Sequence, residues 1–563
     1  MSDALFDKHR ARFERAQQTC RERHAWSAFP ELPSQVADAE AAQARGLAAF
    51  RARLGRRFEI DQPGSLGWIG EEVSPYTGEP LGIAYPQADI EALFDAAERA
   101  IPRWAETGAR ARIGVLMEAV DQLFTGHVFE LQQAVMHSAG QSANMAYAGS
   151  GANALDRAIE ALVYADQALA AVTPAARWER SFGSSRIALA KTYRAVPRGV
   201  AVCFSCATFA TWNAWPSMMA SLATGNAVIV KPHPGSVLPM AIGVEVFRRV
   251  LGTAGHDPNL VTMALDSSAE PLGKRLVNHP KAAIVDFTGS AAFGSWVEQN
   301  AALSYTETSG CNTVVLESAE DLDAALRSLA TTMCLFSAQM CTSPQNVYLP
   351  RGGVATPGGR VGADEVGARL AAAISAVGQE PRRAAMILAA IQSPATLDLI
   401  GRMQDEGALR GRVLLAPRAY GHPQFPKART STPLLVQTDP RQGDLYREER
   451  FGPIGFVVEC ADAGDALAQA CGDVARHGGL TAFLYSRDES FIAAAERGYA
   501  RAGAQLTINL TGPMPLNFAA AYSDYHVTGL NPAGNASLTD LAFVAGRFRI
   551  AQSRRPAAAA RAN

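Results

Sequence analysis

Val200-Ala-Val-Cys-Phe-Ser205 is an apolar run of strand length, and a helical stretch at about 211–223 follows it. The pattern then repeats. Further apolar runs stand at Ala227–Val230, Leu260–Leu265, Ala283–Phe287 and Val314–Leu316, with helical segments at about 236–254, 270–278 and 291–301 between them. Runs without polar alternation are buried on both faces, and strands that alternate with helices build a parallel sheet covered on both sides. Ligands of such sheets bind beyond the carboxyl ends of the strands. Lys231 ends the second strand. Thr288-Gly289-Ser290-Ala-Ala-Phe-Gly294 ends the fourth and opens a helix. A glycine-rich strand-to-helix turn presents N–H groups to a phosphate. Plain turn chemistry explains Gly289 and Gly294 equally well.

Outward from this core the α/β style continues. Strands are expected at Asn346–Leu349, Val413–Ala416, Leu434–Gln437, Gly455–Glu459, Leu480–Tyr485 and Gln505–Leu510. Residues 351–363 read as a flexible loop, and the tail 554–563 reads as disordered. Towards the N-terminus, Leu5, Phe6, His9, Phe13 and Ala16 recur at helical spacing, and a second helix is expected over about Val36 to Leu54. Together they form an appended arm. Glycines and aromatics between Pro63 and Pro86 predict hairpins and turns, and helices follow at about 88–106, 109–124, 127–148 and 155–170. Gly149-Ser-Gly151 loosely matches a dinucleotide fingerprint. A helix rather than a strand precedes it, so it reads as an interhelical turn. Arg186–Arg194 alternates like a strand after the turn Phe182–Ser185, and predicts a projecting hairpin with an open edge.

The chain has 563 residues, 48% of them hydrophobic, which is too long for one core. Its net charge is −2 with no long basic run, so nucleic acid is not an expected partner. No apolar run reaches the ~18–20 residues of a membrane span, and the N-terminus has no export-signal core, so a cytoplasmic location is expected. Eight cysteines in such a chain give no disulfide framework. Cys203-x-x-Cys206 has redox-like spacing, but no second pair completes a zinc site. It reads as core, and no metal is expected.

Two further stretches carry chemistry: Phe336-Ser-Ala-Gln-Met-Cys341 and Tyr305-Thr-Glu307-Thr-Ser-Gly-Cys-Asn312. One strand and one helix separate the thiol from the carboxylate. Such a pair can work on a carbonyl, the thiolate attacking and the carboxylate later activating a water. A lone cysteine reads as readily as a small buried hydrophobe.

Several ordered pieces together resemble the aldehyde dehydrogenase superfamily from about residue 66 to 530. They are Pro197-Arg-Gly-Val200, Ser221–Asn226, Val228-Ile-Val-Lys231-Pro, Phe287-Thr-Gly-Ser290, Glu307 with Ser309-Gly310, Gln339-Met-Cys341, Glu448–Pro453 and Gly479–Ala482. Within it, the long arm, Lys231-Pro-His-Pro-Gly235, Tyr522-Ser-Asp-Tyr-His526 and Ala542–Phe548 resemble the PaaN-type phenylacetic acid degradation proteins.

The resemblance implies an α/β fold with two doubly wound parallel-sheet domains, an oligomerisation hairpin and an N-terminal helical arm. The expected division is 1–62 (arm), 63–303 (NAD(P)-binding, hairpin about 176–197), 304–512 (catalytic), 513–553 (oligomerisation and C-terminal segment) and 554–563 (tail). It implies Cys341 as nucleophile and Glu307 as activator of the hydrolytic water. Lys231 and Glu449 resemble residues that hold the riboses, Ser290 with Gly289 and Gly294 the pyrophosphate turn, and Phe451 a neighbour of the nicotinamide ribose. The implied reaction is NAD(P)-dependent oxidation of an aldehyde, a semialdehyde from aromatic ring cleavage, free or CoA-linked, in a homodimer or dimer of dimers. A CoA-acylating enzyme and a non-catalytic nucleotide- or partner-binding relative are the alternatives.

Two positions depart from the family. Thr208 stands where the family places an oxyanion-hole Asn, with Asn213 nearby. Pro234 stands where an acidic residue tends to exclude a 2′-phosphate, so both cofactors are expected, with a lean towards NADP.

Overall fold

In the computed structural model, residues 2–557 other than Ser309 are described. Five strands form the first sheet, in the spatial order Val261–Met263, Ala227–Lys231, Val200–Phe204, Ala282–Thr288, Ser304–Glu307. All neighbours are parallel. The chain starts in the middle strand, winds to one edge and returns to build the other. This leaves a crevice beyond the carboxyl ends, between Val200–Phe204 and Ala282–Thr288, where the winding reverses. Register brings Phe204 beside Lys231 and Phe287, and Thr288 beside Glu307. Glu307 thus lies at the crevice, on an edge strand of this first sheet that no apolar run announces. The chain therefore leaves the first sheet after Glu307, four residues beyond the expected boundary at 303.

The second sheet has seven strands, in the order Arg412–Leu415, Leu434–Thr438, Ile454–Cys460, Pro344–Pro350, Asn312–Leu316, Thr481–Tyr485, Gln505–Ile508. Only the first pair is antiparallel. The segment carrying Cys341 enters this sheet at its amino edge, just ahead of Pro344, so thiol and carboxylate meet where the two sheets face each other.

The third sheet is antiparallel: Phe548–Pro556 pairs with Ser185–Pro197, which pairs with Ala175–Phe182. Two expectations are corrected here. Arg186–Arg194 is the central strand, not an open edge, and Arg554–Pro556 belong to a strand rather than a disordered tail. Ala557 follows the strand and donates to Ala188 O (2.9 Å), and residues 558–563 lie outside the described residues. The expected flexible loop 351–363 contains a small hairpin, Val354–Thr356 with Gly359–Val361.

Ser2–Glu22 packs on the helix Ala109–Gln122, and Ala39–Arg53 on Val128–Ala139. Phe6, Phe13, Phe29 and Phe50 of the arm are buried in the same core as the first sheet. At the other end Arg547, fully buried, donates to both oxygens of Asp286 (2.8 and 2.6 Å) and to Ser221 Oγ (2.7 Å). Removing one partner of such a pair leaves a buried charge without compensation, so this contact ties the C-terminal segment to the first sheet.

Candidate active site

The nucleophile segment is held in a costly backbone. Phe336, Ser337 and Ala338 have φ of 51°, 50° and 50°, a region that non-glycine residues avoid. Its neighbours pin it. Ser337 Oγ donates to Leu388 O (2.8 Å), Gln339 Nε2 donates to Ala390 O (2.9 Å), and Gln339 Oε1 accepts from Gln392 N (2.8 Å). Asn312 fastens the far side. Its Nδ2 donates to the carbonyls of Cys341 (2.7 Å) and Ser343 (2.9 Å), and its Oδ1 accepts from Leu480 N and Thr481 N. Strain held by so many partners belongs to sites that must be pre-organised.

Cys341 is partly buried, and it lies with Thr208, Lys231, Gly289, Ser290, Glu449 and Phe451 on the wall of one cavity of about 900 Å3. Seven of the nine singled-out residues therefore share that wall. Glu307 and Gly294 do not. Glu307 lines a small adjoining cavity of about 20 Å3 with Asn213, room for one water. Gly294 sits inside the helix Ala291–Asn300, where an added Cβ would come within 2.2 Å of Thr308 Cγ2; its role is close packing. The Gly289 N–H is already taken by the Glu307 carbonyl (3.1 Å), contrary to the expectation of a free donor there. Ser290 caps the helix start without a side-chain bond across it.

Glu307 is almost fully buried, and its carboxylate accepts from His526 Nε2 at 2.8 Å. Cys341 Sγ lies 3.6 Å from the same nitrogen. Reactive atoms of all three groups fall within 4.8 Å of one another. Burial would raise the Glu307 carboxyl, but its contact with His526, helped by a hydrogen bond from Cys341, outweighs burial and holds the group below its usual range. Burial and the Glu307 charge push the Cys341 thiol well up. Cys203 is core, as expected, but Cys206 lines the large cavity, where burial pushes its thiol up to about 11. Thr208 is buried, and its carbonyl accepts from Gln141 Nε2 (2.7 Å).

Two side chains escape the sequence reading. His526 stands in the run Tyr522–His526, which carries the narrower resemblance, but no spacing rule ties it to a thiol so far upstream. Asp266 follows the strand Val261–Met263. Its Oδ1 lies 2.6 Å from Lys231 Nζ, and its Oδ2 accepts from Leu272 N.

A nicotinamide dinucleotide fits this cavity. The volume suffices, the open start of the helix Ala291–Asn300 borders it, and the buried Asp266 carboxylate stands beside Lys231 on its wall. Lys231, Asp266 and Ser290 would hold the group.

The aldehyde dehydrogenase family model matches residues 69–513. An NAD-dependent aldehyde dehydrogenase from Burkholderia multivorans has a similar crystal structure, with a TM-score of 0.95 and 42% identity over 99% of this chain and 100% of that one. The vanillin dehydrogenase of Pseudomonas fluorescens is 27% identical, the alignment covering 78% of this chain and 83% of that protein. The D-glyceraldehyde dehydrogenase (NADP(+)) of Thermoplasma acidophilum is 24% identical, covering 84% and 90%. The chain belongs to the aldehyde dehydrogenase family, enzymes that oxidise aldehydes with a nicotinamide cofactor.

Proposed function

We propose that this chain oxidises an aldehyde to a carboxylic acid at Cys341, with Glu307 as the base for hydrolysis. The observation that carries the reading is the meeting of the two groups. They come from different segments, yet they lie within 4.8 Å of each other, the thiol on the wall of a cavity that fits a dinucleotide and the carboxylate on the small cavity beside it. Cys341 Sγ attacks the aldehyde carbon as its proton passes to the carbonyl oxygen. That carbon then loses a hydride, for which a bound nicotinamide would be the acceptor, and the oxygen releases the proton to solvent. The acyl group stays on sulfur as a thioester until Glu307 takes a proton from water and the oxygen displaces the sulfur. The adjoining cavity has room for that water beside the carboxylate. Thr208 and Asn213 are the candidate side-chain donors to the developing oxyanion.

The cofactor is NAD rather than NADP. No acidic residue follows Lys231 in its own loop, but the Asp266 carboxylate reaches Lys231 from the neighbouring strand end. It favours a ribose hydroxyl pair and repels a 2′-phosphate. Burial, with Lys231 beside it, holds His233 below its usual range, so that ring adds no positive charge for a phosphate near neutral pH. The name of the 42% identical Burkholderia protein supports the same choice.

The substrate is a semialdehyde from aromatic ring cleavage, free or CoA-linked, in a PaaN-type setting. The arm and the run Tyr522–His526 support this reading. A charged carboxylate kept beside the thiol favours hydrolysis over transfer to CoA. The test is NAD reduction with aromatic aldehydes, aliphatic semialdehydes and their CoA thioesters, with and without free CoA. A carboxylic acid product independent of free CoA is expected. Acyl-CoA formed only with free CoA would identify the acylating alternative, and no reduction across the panel would favour a binding role.

A further inference from the structure

The described structure puts an imidazole where the two-residue chemistry needs none. His526 Nε2 is 2.8 Å from Glu307 Oε1 and 3.6 Å from Cys341 Sγ, and the ring packs edge-on against Trp212 with centroids 4.5 Å apart. An ionised carboxylate only accepts, so Nε2 carries the proton. Nδ1 is buried and has no hydrogen-bond partner among the described residues. The ring is therefore held by its Nε2 contacts, its packing and its loop.

That loop is clasped from two sides. Arg157, on the helix Ala154–Ala170, donates to Asp524 O (2.9 Å) and to the carbonyls of Ala519 and Ala520. Asp156, on the same helix, accepts from Tyr522 OH (2.9 Å) and also from Ser27 Oγ (2.6 Å) and Ala28 N (2.8 Å) of the N-terminal arm. Arg23 of the arm reaches the Tyr522 and Ser523 carbonyls. The arm and the His526 loop thus share one anchor.

We propose that His526 is a third catalytic residue, whose single N–H serves Glu307 before hydrolysis and Cys341 during it. This rests on the thioester reading above. Before attack, the N–H keeps Glu307 ionised and fixed. Water then gives its proton to Glu307, and its oxygen bonds to the acyl carbon. The carboxyl, now neutral, no longer needs the donor. As the C–S bond breaks, its electron pair goes to sulfur, and the N–H turns to the thiolate 3.6 Å away. The proton on Glu307 returns to the sulfur. The net change is thioester plus water to carboxylic acid plus thiol, with no oxidant required.

Charged and titratable groups face His526 from several elements. Glu307 faces it from the strand end and Cys341 from the nucleophile segment. Arg157 lies behind Trp212, with its guanidinium 5.1 Å from that ring's centre, and Asp524 and Tyr525 precede it on its own loop.

The experiment uses 4-nitrophenyl acetate, which acylates a thiol without aldehyde or cofactor. The nitrophenolate burst counts competent Cys341 sites, and the later steady rate reports hydrolysis of the thioester. His526→Ala should keep a full burst, lose at least tenfold in the steady rate, and move the acid limb of that rate to higher pH. His526→Gln, which can offer an N–H to the carboxylate, should bring the limb back towards wild type. A steady rate within twofold of wild type in His526→Ala, with the limb unmoved, would overturn the proposal while leaving the thiol chemistry intact. A limb that Gln fails to restore, at full burst, would overturn it too. No burst in wild type would overturn the thioester reading and this proposal with it.

Discussion

At the scale of single residues, the role proposed for Asp266 would supply from elsewhere in the fold a side chain that the loop after Lys231 lacks. The loop after Lys231 carries Pro234 where an acidic residue would discriminate between cofactors, and the local sequence therefore leans towards NADP. The carboxylate comes instead from the next strand end, 2.6 Å from the lysine. Asp266→Asn keeps the shape and removes the charge. Wild-type protein should bind NAD at least tenfold tighter than NADP, and the variant should narrow that ratio at least tenfold, about 1.4 kcal/mol. Equilibrium dissociation constants for both dinucleotides, measured without aldehyde, decide it; equal constants in wild type would remove Asp266 from this role. Cys341, Glu307 and Lys231 are legible in sequence because each stands in a stretch with its own pattern. Asp266 and His526 are not, because their meaning lies in contacts between segments far apart in the chain, and a one-dimensional pattern holds no record of such contacts.

At the scale of elements, the buried parallel strands are legible because burial on both faces demands continuous apolar runs. The edge strand Ser304–Glu307 fails that signal. It is short, polar, and covered on its outer side by a loop, where Thr306 N donates to Asn535 Oδ1 and Thr308 N to Ala533 O. The strand Phe548–Pro556 fails it as well, because all of its residues beyond Phe548 are exposed in the single chain. That exposure is informative. A three-stranded antiparallel sheet with little cover gains too little from its own packing to be stable by itself, and it presents Phe182, Ile187, Val196 and Ile550 to solvent. We propose that a second copy of the chain covers this sheet. Light scattering at micromolar concentration should give the mass of two or four chains, and Ile187→Asp with Ile550→Asp should shift it towards one. A wild-type monomer contradicts the proposal.

At the scale of the whole molecule, the carboxyl edge of the five-stranded sheet faces the amino edge of the seven-stranded sheet. The first supplies Lys231, Ser290 and Glu307, and the second positions Cys341 through Asn312. No helix among the described residues is long and apolar enough to cross a membrane. The C-terminal loop closes the junction with His526, while the N-terminal arm holds that loop through Asp156, whose carboxyl burial pushes up to about 7 against the bonds from Ser27, Ala28 and Tyr522. In the proposed reaction the two sheets together perform two steps, oxidation onto sulfur and then hydrolysis by the buried carboxylate. Pre-steady-state NADH formation in Glu307→Gln, followed by intact-mass analysis, tests it most directly. The predicted result is about one equivalent of NADH per active site, a stall, and an acyl mass that disappears when Cys341→Ala is added. Full steady turnover in Glu307→Gln would contradict it.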